Sequence, residues 1–397
     1  MKDLFADITV LSMEQATVLP YLTYRLAAEG MKVFRVEHPR RPDPNRFVGG
    51  QVLAEEAMNS YFLPNNVGKQ AITLDLSGDE GQAILRDLIL KLPVDIFASN
   101  QLPRNYSKLG IEYEQLKAIK GDIIWVGITG FGPESNEAAY DPILQARSGF
   151  MALTGEKDGP PQVLGLPMAD LGASEHGHGE IMKALYKRAS TGEGSRIDIS
   201  MFQSAVSWLV NPVLLSKSFG AGITRRGTTH EFFAPVSVYE TRDGYVYVAV
   251  GNDRQWQAIT ELPGFESLYR EERKMNAGRI ADVDNLNQEI NAVTKTRSTE
   301  ELIGLFNSIG VPISTVKTIR EVTEDPLVKN RLISSTDPRT GTEIFLPPTP
   351  VITPYLESVG MQMSFPPRIG EHNQQIYGDL LGYDAGRMRE LKDAGVI

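Results

Sequence analysis

Asp170 is the residue around which chemistry can be built. It lies in the segment PMADLGAS, residues 167–174, flanked by the apolar Ala169 and Leu171. An apolar stretch broken by Gly165 and Pro167 leads into it, and a helix follows, then the turn Thr191-Gly192-Glu193-Gly194 and a strand over Arg196–Ser200. A carboxylate at the mouth of a helix has two readings. Asp is a preferred capping residue, and an oriented carboxylate can also act as a nucleophile. The chain contains no Cys, so thiol nucleophiles, disulfides and iron–sulfur ligation are excluded. His176 and Glu180 fall on one face of the same helix, which raises the idea of a metal site. No third ligand lies at close spacing and the chain has only five His, so a packed or solvated helix face is the better reading and no metal is expected.

The elements that must position Asp170 begin at the N-terminus. Asp7–Met13 reads as a buried strand. A helix with Pro20 at its first position runs through Leu22 and Leu26 to a stop at Gly30. Lys32–Val36 is the next strand, which completes a βαβ unit and predicts a parallel sheet. Ser77 and Glu80 have capping-box spacing and open a helix that Pro93 ends. Val94–Ala98 and the strongly apolar Asp122–Thr129 add further strands, while Met201–Gly220 reads as one helix. After the Gly- and Arg-rich segment 221–229 the pattern changes. Two alternating runs, Val236–Thr241 and Tyr245–Gly251, flank Arg242-Asp243-Gly244 as a β-hairpin. Ser298 to Glu301 caps a later helix.

At 397 residues the chain exceeds one usual core, so two domains are expected. A net charge of −10 argues against nucleic acid or an anionic membrane surface as partner. It leaves room for a phosphorylated cofactor in a local basic pocket. The opening MKDLFADITV lacks a signal-peptide pattern and no apolar run approaches a membrane span, so a cytoplasmic protein is the expectation.

Several stretches together resemble the class III CoA-transferases, the family of formyl-CoA transferase, carnitine CoA-transferase and 2-methylacyl-CoA racemase. PMADLGAS resembles the family's active-site segment, VFRVEHPRRPDPNR its VIKVEHP-x-x-GD-x-x-R, and NVGKQAITLDL its N-x-x-K-R-S-I-x-L-D-L. AYDPILQARSG, the segment RRGTTHEFFAPVSVYETRDGYVYVAVGNDRQW and the tail PPRIGEHNQQIYGDLLGY also match, so the likeness covers nearly the whole chain. It implies an α/β fold: a Rossmann-like parallel-sheet large domain plus a smaller α/β domain, two chains interlocking as a dimer. The expected boundaries are 1–220 for the large domain, 221–330 for the small one, and 331–397 returning to the large domain. It implies CoA and acyl-CoA as co-substrates rather than permanently bound cofactors, and a carboxylic acid as the other substrate.

Residue by residue, the resemblance makes Asp170 the nucleophile. It assigns His38, Arg41, Lys69, Asn100 and Lys108 to CoA binding, with Arg40 and Arg46 as further phosphate contacts, and Gln15, Thr17 and His230 to the substrate. Asn100 also follows a parallel strand, where open α/β sheets place ligands. Tyr140 stands where the racemase branch has a His base. With a reference pKa of about 10, Tyr is a donor and a poor base at neutral pH, which favours transfer over racemisation. Two departures stand out. No glycine run matches the family's lid, the loop at Gly220–Gly227 being the nearest counterpart, and Gln15 is out of register with the formyl branch's Gln, which argues against formate or oxalate. The expected activity is transfer of CoA from an acyl-CoA, with succinyl-CoA the donor suggested by family breadth, to an organic acid through Asp170 intermediates. The alternatives are a 2-methylacyl-CoA racemase and a CoA-binding, non-catalytic subunit of a heteromeric transferase.

Overall fold

A computed structural model describes residues 4–397. The chain divides into two compact units. The first takes the residues up to Gly149, then Leu164–Leu214 and Asn330–Ile397; the second takes Phe150–Val163 and Leu215–Lys329. The crossing of 150–163 into the second unit differs from the sequence-based boundaries. Its cause is local: Gly227 N–H donates to Gly155 O at 2.9 Å and Arg225 Nε to Gly159 O at 3.1 Å, which ties that segment to the 215–329 portion.

The first unit is built on six parallel strands: β1 (Thr9–Met13), β2 (Lys32–Glu37), β3 (Lys69–Thr73), β4 (Ile96–Ser99), β5 (Ile124–Thr129) and β6 (Ser195–Ser200). Their order is β3-β2-β1-β4-β5-β6, the doubly wound arrangement expected from the βαβ start. β1, β4 and β5 are buried almost throughout, as a parallel sheet covered on both faces requires. The carboxyl ends of β1 and β4 are neighbours at the point where strand order reverses. That switch point is where such sheets form a ligand crevice. The C-terminal tail returns to this unit. It covers the edge strand β3 through side chains: His372 Nδ1 accepts from Ala71 N–H, Asn373 Oδ1 from Thr73 N–H, and Tyr377 OH donates to Thr73 O at 2.7 Å. An edge so capped is closed to further strand pairing.

The second unit holds an antiparallel sheet of β7 (Val236–Glu240), β8 (Tyr245–Ala249) and β9 (Ile313–Thr315), with the hairpin where the alternation placed it. Its own core gathers Tyr239, Val246, Val248, Trp256, Phe265, Leu286, Leu302 and Phe306. The Ser298 capping box on Thr299–Ser308 forms with both of its hydrogen bonds. Other local expectations differ from the structure. Ser77 does not cap; its N–H bonds Asp75 Oδ1, and Gly78 occupies the N-cap of Asp79–Lys91. The first helix starts at Val18, ahead of Pro20. The stretch expected as one helix over 201–220 splits into Met201–Ser207 and Val210–Phe219. Pro212 explains the split, because a residue without an N–H is tolerated only in a first turn.

Between the ends of β1 and β2 and the start of β3 lies a buried charge network. Arg35 and Arg46 are fully buried, Lys69 is 2% exposed and Glu14 is 4% exposed. Lys69 Nζ donates to Glu14 Oε1 at 2.7 Å, Pro20 O at 2.8 Å and Asn66 Oδ1 at 3.1 Å. Arg46 grips both oxygens of Glu37, at 2.8 and 2.6 Å, and lies over the Phe62 ring. Arg35 meets Asp43, Asn66 and Glu37. Lys69 and Arg46, which the resemblance assigns to CoA, have their charges engaged by these buried partners. A buried ammonium or guanidinium must be paired, and both groups find their partners inside the protein.

Candidate active site

Asp170 sits in the first turn of the helix Met168–Thr191, which Gly192 ends in the left-handed conformation (φ 75°). The helix packs closely on Val18–Ala28 because Gly177 has no side chain; a Cβ there would lie 2.9 Å from Leu22. Ser174 Oγ donates to Val18 O at 2.6 Å and to Asp170 O at 2.8 Å. This bond fixes the first turn, and Asp170 with it, beside the loop that leaves β1.

Asp141 opens the helix Asp141–Ser148, and its Oδ1 accepts from Ala169 N–H at 2.7 Å and Asp170 N–H at 3.2 Å. Gln145 holds the other oxygen: its Nε2 donates to Asp141 Oδ2 at 2.6 Å and to Leu166 O at 3.1 Å, while its Oε1 accepts from Leu164 N–H at 2.9 Å. The Asp141–Gln145 pair therefore caps the Asp170 helix and shapes the approach to it. Capping is not Asp170's own task, since that helix has no side-chain cap from its N-cap residue and Asp141 supplies the acceptor. Both partners lie in the AYDPILQARSG match, which by itself assigns neither of them this role. Their i, i+4 spacing on one helix was the available signal.

The electrostatics of Asp170 follow from this geometry. Its side chain is largely buried, and burial first, with the nearby Asp141 charge second, pushes its pKa up from 3.8 to about 7. Asp141 also engages the N–H groups through which the helix start would otherwise steady an anion. The result is a carboxylate more basic than a free one and still ionisable near neutrality.

The remaining candidates occupy different places. Gln15 and Asn100 meet at the switch point: Asn100 Nδ2 donates to Gln15 O at 2.8 Å, and Gln15 N–H to Asn100 Oδ1 at 3.2 Å. Thr17 is buried at the start of the first helix. His38 and the exposed Arg40 and Arg41 follow β2, with His38 Nδ1 accepting from Arg40 N–H at 3.0 Å. Desolvation holds the His38 imidazole below its usual pKa. Lys108 is exposed in the connection after β4. Tyr140 is 73% exposed, directly before Asp141. His230 belongs to the second unit, exposed against Phe232 and Phe233. His176 stacks on Trp208 and bonds Ser204 Oγ at 2.7 Å. Among the described residues no group of three or more His, Cys, Asp or Glu is arranged to hold a metal ion, and no helix is long and apolar enough to cross a membrane.

Comparison with known proteins bears on this arrangement. The model of CoA-transferase family III matches residues 5–373. The succinyl-CoA:glutarate CoA-transferase of Mus musculus is 29% identical over 396 residues, covering 98% of this chain and 89% of that protein. The succinate–glutarate CoA-transferase of Agrobacterium fabrum is 30% identical over 385 residues, covering 94% of this chain and 95% of its own length. The crystal structure of a CAIB/BAIF family protein from Brucella suis superposes with a TM-score of 0.81 at 30% identity, over 94% of this chain and 98% of that one. The parallel sheet, the carboxylate-capped helix and a match spanning both units thus converge, and the chain belongs to CoA-transferase family III.

Proposed function

We propose that this CoA-transferase moves CoA from succinyl-CoA to a short dicarboxylic acid of the glutarate class, with Asp170 as the covalent carrier. The relatives named for succinyl-CoA and glutarate supply the substrate class. The observation that carries the mechanism is the buried Asp170 carboxyl with its pKa raised to about 7. Raised basicity improves a weak nucleophile while leaving it ionised in useful amount at neutral pH.

The steps conserve the thioester's energy. The Asp170 carboxylate attacks the thioester carbonyl, and CoA leaves as thiolate, giving a mixed anhydride. The thiolate attacks the Asp170 carbonyl carbon and expels succinate, leaving an aspartyl-CoA thioester. The acceptor carboxylate attacks that thioester and releases the thiolate again, forming a second anhydride. Attack of the thiolate on the acceptor's carbonyl gives the new acyl-CoA and restores Asp170. Each intermediate is activated, so water must be kept away, and the burial of Asp170 serves that end.

The crevice between the ends of β1 and β4 is the place proposed for CoA. Asn100 and Gln15 line its mouth, Arg40 and Arg41 supply positive charge at the end of β2 for phosphates, and His38 beside them is proposed as a hydrogen-bonding contact to CoA. Lys108, in the connection after β4, is a further exposed cation, and Tyr140 offers a hydrogen-bond donor next to Asp141. Thr17 is proposed for the acid substrate, and a dimer as the working assembly. A panel of mono- and dicarboxylic acids assayed against succinyl-CoA and acetyl-CoA tests the substrate reading. It requires dicarboxylates of glutarate length to be the best acceptors; preference for monocarboxylates overturns it.

A further inference from the structure

Ala16 adopts φ 63°, in the left-handed region that a residue with a Cβ enters only when its surroundings compel it. It stands in the loop that leaves β1 at the switch point. Its N–H donates to Asp43 Oδ1 at 3.0 Å. The Asp43 carboxylate is itself immobilised: Oδ1 also accepts from Asn45 N–H at 3.0 Å, and Oδ2 accepts from the buried Arg35 at 3.0 Å. Asp43 N–H donates to Glu37 Oε1 at 3.1 Å, and the residue is 3% exposed. On one side of Ala16 the reciprocal bonds between Gln15 and Asn100 span β1 and β4. On the other, Lys69 links Glu14 to Pro20 O and so joins the two ends of the loop. The Gln15 side chain is left exposed. A glycine would reach this backbone conformation without compulsion. Alanine held by a buried carboxylate has one shape instead of several.

We propose that Asp43 is a positioning residue: it locks the strained Gln15–Thr17 loop in the one shape that receives acyl-CoA at the β1/β4 crevice. This rests on the reading that CoA occupies that crevice. Preorganisation of this kind acts on affinity by removing an ordering cost at binding. The whole charge network behind the loop then serves ligand recognition without any of its members touching the ligand.

The test is direct CoA binding by calorimetry on the full chain, with thermal melts alongside. Asp43→Asn and Asp43→Ala both remove the charge facing Arg35, so both lose stability. Only Asp43→Ala also loses the Oδ1 acceptor. Asp43→Asn should keep affinity within about threefold of wild type, whereas Asp43→Ala should weaken CoA binding by about tenfold or more, the scale of one lost positioning hydrogen bond. Ala16→Pro keeps every charge in place but has no N–H and cannot take φ 63°, so it should weaken CoA binding at least as much while melting as a folded protein. It carries the test if Asp43→Ala does not fold. Equal affinity in Asp43→Ala and Asp43→Asn, or wild-type affinity in Ala16→Pro, overturns the proposal. Binding by wild type with those results leaves the crevice reading intact, whereas failure of wild type to bind CoA overturns both.

Discussion

Replacing Asp170 with Asn should stabilise the protein, and by an amount that depends on pH. Burial and Asp141 raise the Asp170 pKa from 3.8 to about 7. The folded state therefore holds a proton that the unfolded chain releases between those values. Stability falls as pH rises through that window, because the native state binds more protons there. Below the unfolded value both states are protonated and no penalty exists. Above about 7 the penalty is complete. Three units at 1.36 kcal/mol each give about 4 kcal/mol. Asp170 is 9% exposed, so solvent screening reduces this little. Asn keeps the shape and removes the charge, so Asp170→Asn should exceed wild type by about 4 kcal/mol at pH 8, by about 2 at pH 5, and by nearly nothing at pH 3.5. Urea denaturation at those pH values, read from the midpoints at constant slope, measures it. A pH-independent difference, or destabilisation at pH 8, would refute the claim that Asp170 is held against its charge. A functional site that lowers stability in this way is a familiar trade.

Other outcomes follow from the same geometry. Transfer activity at saturating acceptor should rise with pH toward about 7 and then level, since the Asp170 carboxylate is the reacting form; a rate that falls over that range contradicts the assignment. Asp141→Asn retains an acceptor for Ala169 and Asp170 N–H but removes the neighbouring charge, so the pH–rate inflection should move down, and an unmoved inflection rules out Asp141 as a cause. Lys69→Met leaves Glu14 buried with only the more distant Arg35, at 3.8 Å, as its cation and should destabilise by about 3–5 kcal/mol; adding Glu14→Gln should recover much of that, as denaturation of the pair will reveal.

The architecture was largely legible in the sequence. The βαβ start, the apolar runs at β4 and β5 and the hairpin at β7–β8 follow hydrophobic periodicity, which survives without tertiary information. The placement of Asp170 at the start of a long helix was legible too, because its segment is a local match. The buried partners of Lys69 and Arg46 were not legible, for a physical reason. A cation that opens or follows a parallel strand looks the same in sequence whether it faces a ligand or a buried Glu, and only the fold brings Glu14 and Glu37 to them. Ser77 offered proper capping spacing, yet Asp75 took its N–H. The Asp141–Gln145 clamp joins segments that are distant along the chain, so its purpose appears only when the Asp170 helix is in place. The 150–163 segment changed units through backbone hydrogen bonds, which leave no mark in composition.

The central claim, that Asp170 carries the acyl group and then CoA, is tested most directly by trapping. Wild type incubated with succinyl-CoA and hydroxylamine, then digested and examined by mass spectrometry, should yield a hydroxamate at Asp170; borohydride should reduce the same residue to an alcohol. Asp170→Asn should yield neither and should still bind CoA. A hydroxamate on another carboxylate, or transfer that persists in Asp170→Asn with no trapped residue, contradicts the account.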